Sequence, residues 1–345
     1  MKRRMLPEWA DQWGVMLTWP HADTDWADWL ADVERTYFTI AREITRREEL
    51  LVVAQDEAHA AHIRAGIAAN GGDTARVHFR FAPANDTWAR DHGPITVERE
   101  GELELLDFVF NGWGNKWAAD KDNRINRTIR DFFAAPMTHI DLVMEGGALE
   151  TDGEGTLMTT RRCLLSPERN PHLDEKAIEA ELKHWLGAER VLWLDHGAME
   201  GDDTDSHIDT LARFASPDAI VYQACDDRED SHFEELAAMR AELEAFRQAD
   251  GRPYTLHALP WPQARHDPVT GQRLPATYAN FLIINGAVLA PAYDDAADEK
   301  AREVLAAAFP GHDIIMIDCL PVIRGFGSLH CITMQIPAAA VGESQ

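Results

Sequence analysis

Gly325-Phe326-Gly327-Ser328-Leu329-His330-Cys331-Ile332-Thr333 is a glycine-rich turn that delivers one cysteine into an apolar strand, and it closes the last of several stretches in which strands and a polar loop recur. Glycine lets a backbone bend sharply and approach a ligand, so a cysteine just after it can face a pocket instead of a core. Cys331 is therefore the candidate nucleophile. Cys163, Cys225 and Cys319 lie within or beside apolar runs with no glycine turn leading in, the setting of a small buried hydrophobe.

Upstream of this turn, strands and helices alternate. Trp13 to Pro20 reads as a strand ended by proline. From about Asp25 to Arg47, Trp26, Trp29, Leu30, Val33, Tyr37, Ile40 and Ile44 recur at three and four residues, a helix capped by Asp23 or Thr24. Leu50 to Ala54 is a buried strand, Glu57 to Ala69 a second helix, and Val77 to Phe81 and Leu103 to Phe110 further strands. Met144 to Met158 reads as a hairpin turned at Asp152-Gly153. A helix from Asp174 to Leu186 and a strand from Val191 to Leu194 follow. Then come a strand at Ala219 to Tyr222, a helix at Ser231 to Gln248 and a hairpin of Tyr278 to Gly286 with Ala287 to Pro291. A helix at Asp298 to Ala308 and a strand at Asp313 to Ile317 complete the series.

The loops between these elements have the composition of sites. Trp88-Ala89-Arg90-Asp91-His92 runs into a strand, Asn111 to Trp117 is dense in tryptophan, glycine and asparagine, and Glu145-Gly146-Gly147 lets backbone crowd a ligand. In Asp202-Asp203-Thr204-Asp205-Ser206-His207-Ile208-Asp209, three acids precede a histidine and a fourth follows it, so that in a strand His207 and Asp209 point to one side. The unit of strands and one helix repeats every roughly 50 to 75 residues, with polar loops near Asp91, Glu145, His207, Asn280 and Cys331. A repeat that closes on itself brings such loops to one axis, so a cyclic α/β array is expected, with a doubly wound open sheet as the competing architecture.

Composition narrows the function. The chain has 345 residues with no linker-like shift, so one domain spanning 1–345 is expected. No stretch approaches the roughly 18 apolar residues of a membrane span, and the basic start Met1 to Arg4 runs into Pro7 and Glu8 without an apolar segment, which reads as a protein that is not exported. Four cysteines without paired spacing suit a reducing cytoplasm. A net charge of −26, with 59 acids to 33 bases, argues against a nucleic-acid partner and favours a small cationic one. Neither glycine-rich stretch completes a phosphate-binding pattern, so no nucleotide cofactor is expected. His207 and Asp209 could ligate a metal, but no second histidine stands at a helpful spacing, and no metal is expected. A homo-oligomer is compatible with the sequence.

Taken together and in order, Trp88-Ala89-Arg90-Asp91-His92-Gly93-Pro94, Glu145-Gly146-Gly147, the Asp202 to Asp209 island, Tyr278-Ala279-Asn280-Phe281 and His330-Cys331-Ile332-Thr333 resemble the agmatine deiminase branch of the guanidino-group-modifying enzymes. The resemblance spans nearly the whole chain. It implies a five-bladed α/β propeller without metal or cofactor, hydrolysing agmatine to N-carbamoylputrescine and ammonia in putrescine and polyamine biosynthesis. The chain departs from the family where Gly325-Phe326-Gly327-Ser328-Leu329 stands in place of the more usual Gly-Gly-Gly-Asn-Ile. That leaves a peptidylarginine deiminase-like activity on another guanidino substrate as the alternative.

Attack on a planar, resonance-stabilised guanidinium needs carboxylates to fix its plane, a thiolate and a general acid. The resemblance implies Asp91 and Asp209 for the guanidinium nitrogens, Glu145 as a bridge to His207, Cys331 as nucleophile and His207 as acid and then base. Trp88 would pack on the substrate, and Asp203 would meet its far amine. Two further classes compete: a non-catalytic propeller that binds cationic ligands, and a Cys-His amidase, which needs an oxyanion hole in place of a carboxylate cluster.

Overall fold

The apolar spacing expected of the first helix is met over Leu30–Thr45, whose Val33, Tyr37, Ile40, Ala41 and Ile44 are buried on one face. At roughly 1.5–3 kcal/mol for each large apolar side chain fully buried, that face outweighs the helix's own weak propensity. The expected start at Asp25 is not part of this helix. Asp25–Trp29 is a separate 3₁₀ turn, in which Trp26 Nε1 donates to Asp86 Oδ1 at 2.7 Å and draws its ring toward a pocket. The computed structural model describes residues 2–342.

Five sheets share one topology, an antiparallel pair followed by a helical crossover to a parallel third strand. In the first, Ile95–Arg99 pairs antiparallel with Glu102–Val109, which pairs parallel with Met137–Val143. The second joins Glu150–Thr151, Thr156–Thr160 and Arg190–Leu194 in the same way, and the third Ala212–Ser216, Ala219–Gln223 and Thr255–Leu259. Leu282–Ile284, Ala287–Ala292 and Asp313–Asp318 make the fourth. In the fifth, the last strand Thr333–Pro337 pairs antiparallel with Gln12–Thr18, which runs parallel to Glu49–Ala54, so the two ends of the chain share a sheet. Val77–Phe81 and Arg3–Met5 extend the fifth and first sheets by one strand each. A parallel partner cannot be reached by a tight turn, which is why Glu175–Leu186, Phe233–Ala245, Ala297–Ala308 and Leu30–Thr45 lie in four of the crossovers.

Several expected bounds move. The hairpin is confined to residues 150–160, and Glu145 precedes it; the turn itself falls at Asp152-Gly153, where Asp152 Oδ1 accepts from the N–H groups of Glu154 and Thr156. The strand expected from Tyr278 starts only at Leu282, because Asn280 is spent on the loop that holds Cys331. Strands at Met137–Val143, Ala212–Ser216 and Thr255–Leu259 were not expected. The last two lack a clean alternation of burial, and in the first only Ile140 and Leu142 alternate with exposed His139 and Asp141, a short run. No helix among the described residues is long and apolar enough to cross a membrane.

Candidate active site

The recurrent topology puts the five polar loops at one station. Asp91, Gly147, Asp209, Asn280 and Cys331 each come two to four residues before the first strand of their sheet, Ile95, Glu150, Ala212, Leu282 and Thr333 respectively. Residues more than 200 positions apart in sequence thereby meet. The position that a Cβ on Gly147 would take lies 2.6 Å from His207 Nδ1, 2.7 Å from Asp91 Oδ1 and 3.2 Å from Asp209 Oδ2. Glycine is required there by crowding. Cys331 Sγ lies 3.8 Å from the same Asp209 Oδ2 and 3.4 Å from Asn280 Oδ1.

Each of these groups is buried, and their hydrogen bonds differ in kind. Asp91 Oδ2 accepts from Trp113 Nε1 at 2.9 Å and Oδ1 from the Gly147 N–H at 3.0 Å. Asp209 Oδ2 is 2.7 Å from His330 Nδ1. His207 Nδ1 approaches Asp91 Oδ1 at 3.5 Å, but neither ring nitrogen makes a hydrogen bond, and Asp209 Oδ1 has no partner either. Buried polar atoms left unpaired cost about 1–3 kcal/mol each, and here they face one cluster. Burial drives the His207 imidazole down to about 3, so it is neutral. Burial, then the Asp209 and Asp91 carboxylates, raise the Cys331 thiol far above its ordinary value. Burial and Asp209 raise Asp91, whereas for Asp209 the burial penalty is overcome by the hydrogen bond and charge of His330, which hold it low.

A pocket opens onto the thiol. Cys331, Asp91, Trp88, Trp113 and Trp26 line it, with Asp203, Trp117 and Arg324 among the other lining residues. Asp203 Oδ2 accepts from Trp117 Nε1 at 2.8 Å, and burial pushes this carboxyl up to about 6. The glycines of the cysteine turn play a different part from the one expected. Phe326 carries the left-handed backbone, at φ 69°. Gly325 and Gly327 are instead the surfaces on which Trp26 and Trp88 pack, since a Cβ on either would lie 2.3–2.4 Å from an indole carbon.

Other expectations need correction. His207 and Asp209 flank and enter a 3₁₀ turn, Ile208–Thr210, not a strand, yet both still reach the cluster. Cys331 sits two residues before its strand. Trp26 and Trp29, counted on the helix face, line the pocket. Arg90, next to Asp91 in the chain, is buried and turns to Gln335 at 2.6 Å and Glu8 at 3.6 Å. Both oxygens of Glu145 accept from Arg169 Nε, at 2.9 and 3.0 Å. Glu145, Cys163 and His207 place donor atoms within 4.8 Å of one another, the one metal-like grouping among the described residues. Arg169 already holds that carboxylate with a positive charge, which opposes a cation there.

Sequence reasoning marked the loop at Asn280 but gave that residue no role, and it did not single out Arg169, Glu8, Arg213 or His330 as site residues. Asn280 Oδ1 accepts from the N–H groups of His330 and Cys331, at 2.9 and 3.3 Å, while its Nδ2 donates to the Asp209 carbonyl. Arg213 is fully buried between Glu8 and Glu150 and donates to the Phe281 carbonyl at 2.6 Å. An arginine flanked by apolar residues within a strand was the available signal, because a charge there needs buried partners.

The chain matches the Porphyromonas-type peptidyl-arginine deiminase family over residues 4–337 and belongs to it. The agmatine deiminase of Stutzerimonas stutzeri is 33% identical, the match covering 98% of this chain and 96% of that one. A Porphyromonas gingivalis structure, named as a candidate arginine deiminase, superposes with a TM-score of 0.92 at 48% identity, over 99% of this chain and 100% of that one. The C. jejuni agmatine deiminase, as a cysteine-to-serine variant with substrate bound, gives 0.89 at 36% identity, over 97% and 96%.

Proposed function

We propose that this protein is an agmatine deiminase, hydrolysing agmatine to N-carbamoylputrescine and ammonia in putrescine and polyamine biosynthesis. On this reading the chain is one catalytic domain in the cytoplasm, and its five sheets are the blades of a closed α/β propeller. The observation that carries the proposal is the set of buried, unpartnered atoms, both nitrogens of His207 and Oδ1 of Asp209, beside the Cys331 thiol. A planar cation with several N–H donors is the ligand that would satisfy Asp209 Oδ1 and the one ring nitrogen of the neutral His207 that accepts. The names of the relatives point the same way.

In this mechanism the guanidinium enters between Asp91 and Asp209, and its positive charge stabilises both carboxylates and the thiolate that burial otherwise disfavours. Cys331 Sγ then bonds to the guanidinium carbon. His207, neutral beforehand, takes the thiol proton and passes it to the departing nitrogen, so that ammonia leaves and an amidino-cysteine remains. Water, deprotonated by His207, attacks that carbon; the C–S bond breaks and the ureido product departs. Glu145, fixed by Arg169, holds negative charge near the imidazolium that forms. Trp88 walls the pocket, and Asp203 meets the amine of agmatine.

One observation favours a second reading. Arg324 lines the same pocket, stacked 4.2 Å over Trp29, and among the described residues only its Nε is engaged, on Asp267 at 3.4 Å. Its free terminal nitrogens suit a carboxylate, as in arginine or a C-terminal arginine peptide. Incubation with agmatine, free arginine and such a peptide, reading ammonia and ureido product, decides between them. Turnover of agmatine well above the others is expected. Binding without ammonia release would make this a non-catalytic receptor, and preference for arginine would make the second reading correct.

A further inference from the structure

We propose that Glu8 and His330 form a buried relay that presents Asp209 as a carboxylate with one oxygen free, which makes both of them positioning residues for the reaction. His330 Nδ1 lies 2.7 Å from Asp209 Oδ2 and Nε2 lies 2.7 Å from Glu8 Oε2. Carboxylate oxygens only accept, so Nδ1 donates to Asp209, while Nε2 faces both Glu8 Oε2 and, at 3.0 Å, Arg213 Nη2. The three residues come from the N-terminal segment, the turn before the third sheet and the cysteine loop, and all are nine-tenths or more buried.

The surroundings explain why the charges persist there. Glu8 Oε2 also receives Arg213 Nη2 at 2.8 Å, Glu8 Oε1 receives the Ile283 N–H at 2.7 Å, and Arg90 stands 3.6 Å away. Arg213 is balanced in turn by Glu150. Around Asp209 stand His207, Asp91 and Cys331, and the positive charges of Arg213 and Arg90, both beside Glu8, also act on it. His330 supplies the imidazole that hydrogen-bonds Asp209 directly. The contrast with Asp91 is informative: with no such partner it is raised, whereas Asp209 is held low despite equal burial. One oxygen of Asp209 is spent on the relay, which leaves Oδ1 unpaired for a ligand. Because His330 directly precedes Cys331, the same contact also fixes where the thiol starts.

The inference rests on the proposed function only for its kinetic assay. His330→Gln and Glu8→Gln would be made in the full chain, with kcat and KM for agmatine measured over roughly pH 5 to 9. In parallel, aspartate labelled with carbon-13 at the carboxyl would be titrated by NMR, a readout that needs no turnover. Loss of the relay should raise KM about tenfold in His330→Gln and move the acidic limb of kcat/KM, and the Asp209 carbon titration, upward by about one unit. Glu8→Gln should shift both in the same direction by less. An unmoved Asp209 titration in a folded variant overturns the relay, whether or not agmatine is the substrate. A fall in kcat with an unmoved limb would reduce His330 to a structural role and also overturn it. If His330→Gln does not fold, Glu8→Gln alone decides by the same two criteria.

Discussion

Replacing Gly147 by alanine isolates the geometry of the site from the stability of the fold. Gly147 does not use the left-handed region, so the backbone accepts alanine, and the lost freedom of the unfolded chain favours the variant by about 0.4–1 kcal/mol. The added methyl has no room. At 2.6 Å from His207 Nδ1 and 2.7 Å from Asp91 Oδ1, those atoms must retreat by roughly 0.8 Å to reach ordinary contact. Asp91 is pinned by Trp113 and by the Gly147 N–H itself, so relief falls on the imidazole, on the carboxylate pair or on the loop as a whole. Overpacking of this kind costs about 1–3 kcal/mol, offset in part by the backbone gain. A misplacement approaching 1 Å costs about a hundredfold in rate, or about 2.7 kcal/mol of barrier. Gly147→Ala should therefore melt within a few degrees of the wild type while kcat/KM for agmatine, read by ammonia release, falls about a hundredfold. Gly101→Ala is the control: its φ of 87° is left-handed and nothing lies within 4 Å, so stability should fall by about 1 kcal/mol with activity unchanged. Activity of Gly147→Ala within about threefold of wild type would refute the placement of His207, Asp91 and Asp209 around the reacting carbon.

Cys331→Ala should abolish turnover yet keep the fold and agmatine binding, since it removes the covalent step and little buried area; an inhibitor adduct found by mass spectrometry on Cys163, Cys225 or Cys319 would sink the assignment. Asp203→Asn should weaken agmatine by roughly 1–3 kcal/mol, seen in KM. In the wild type the same affinity should fall as pH drops below about 6, where this carboxyl protonates, and the variant should lack that dependence. Glu48 is pushed up to about 7 by burial, so the folded chain holds a proton that the unfolded chain releases above about 4.5. Its contribution favours folding below that window and is lost as pH rises through it. Glu48→Gln, which keeps an acceptor for the Asn285 N–H at 2.9 Å, should lessen the decline in stability between about pH 5 and 8 by roughly 2 kcal/mol. An unchanged slope in thermal melts across that range would refute it.

Local pattern alone determined the alternation of strands and helices, the recurrence of polar loops near Asp91, Glu145, His207, Asn280 and Cys331, and the order of motifs by which the chain resembles its family. Helices such as Glu57–Ala69 were legible to the residue, because side-chain spacing and capping are written in neighbouring positions. The tertiary structure decided what neighbouring positions cannot encode. That Gly147 is small because three reactive side chains surround it, that Gly325 and Gly327 exist for two indole rings, and that Phe326 takes the strained turn all follow from contacts across sheets. Arg169 against Glu145, and Glu8 reaching His330, join segments 24 and 322 positions apart. A buried charge is stable only with partners of the opposite sign, and which partners those are is settled when five loops from five sheets come together.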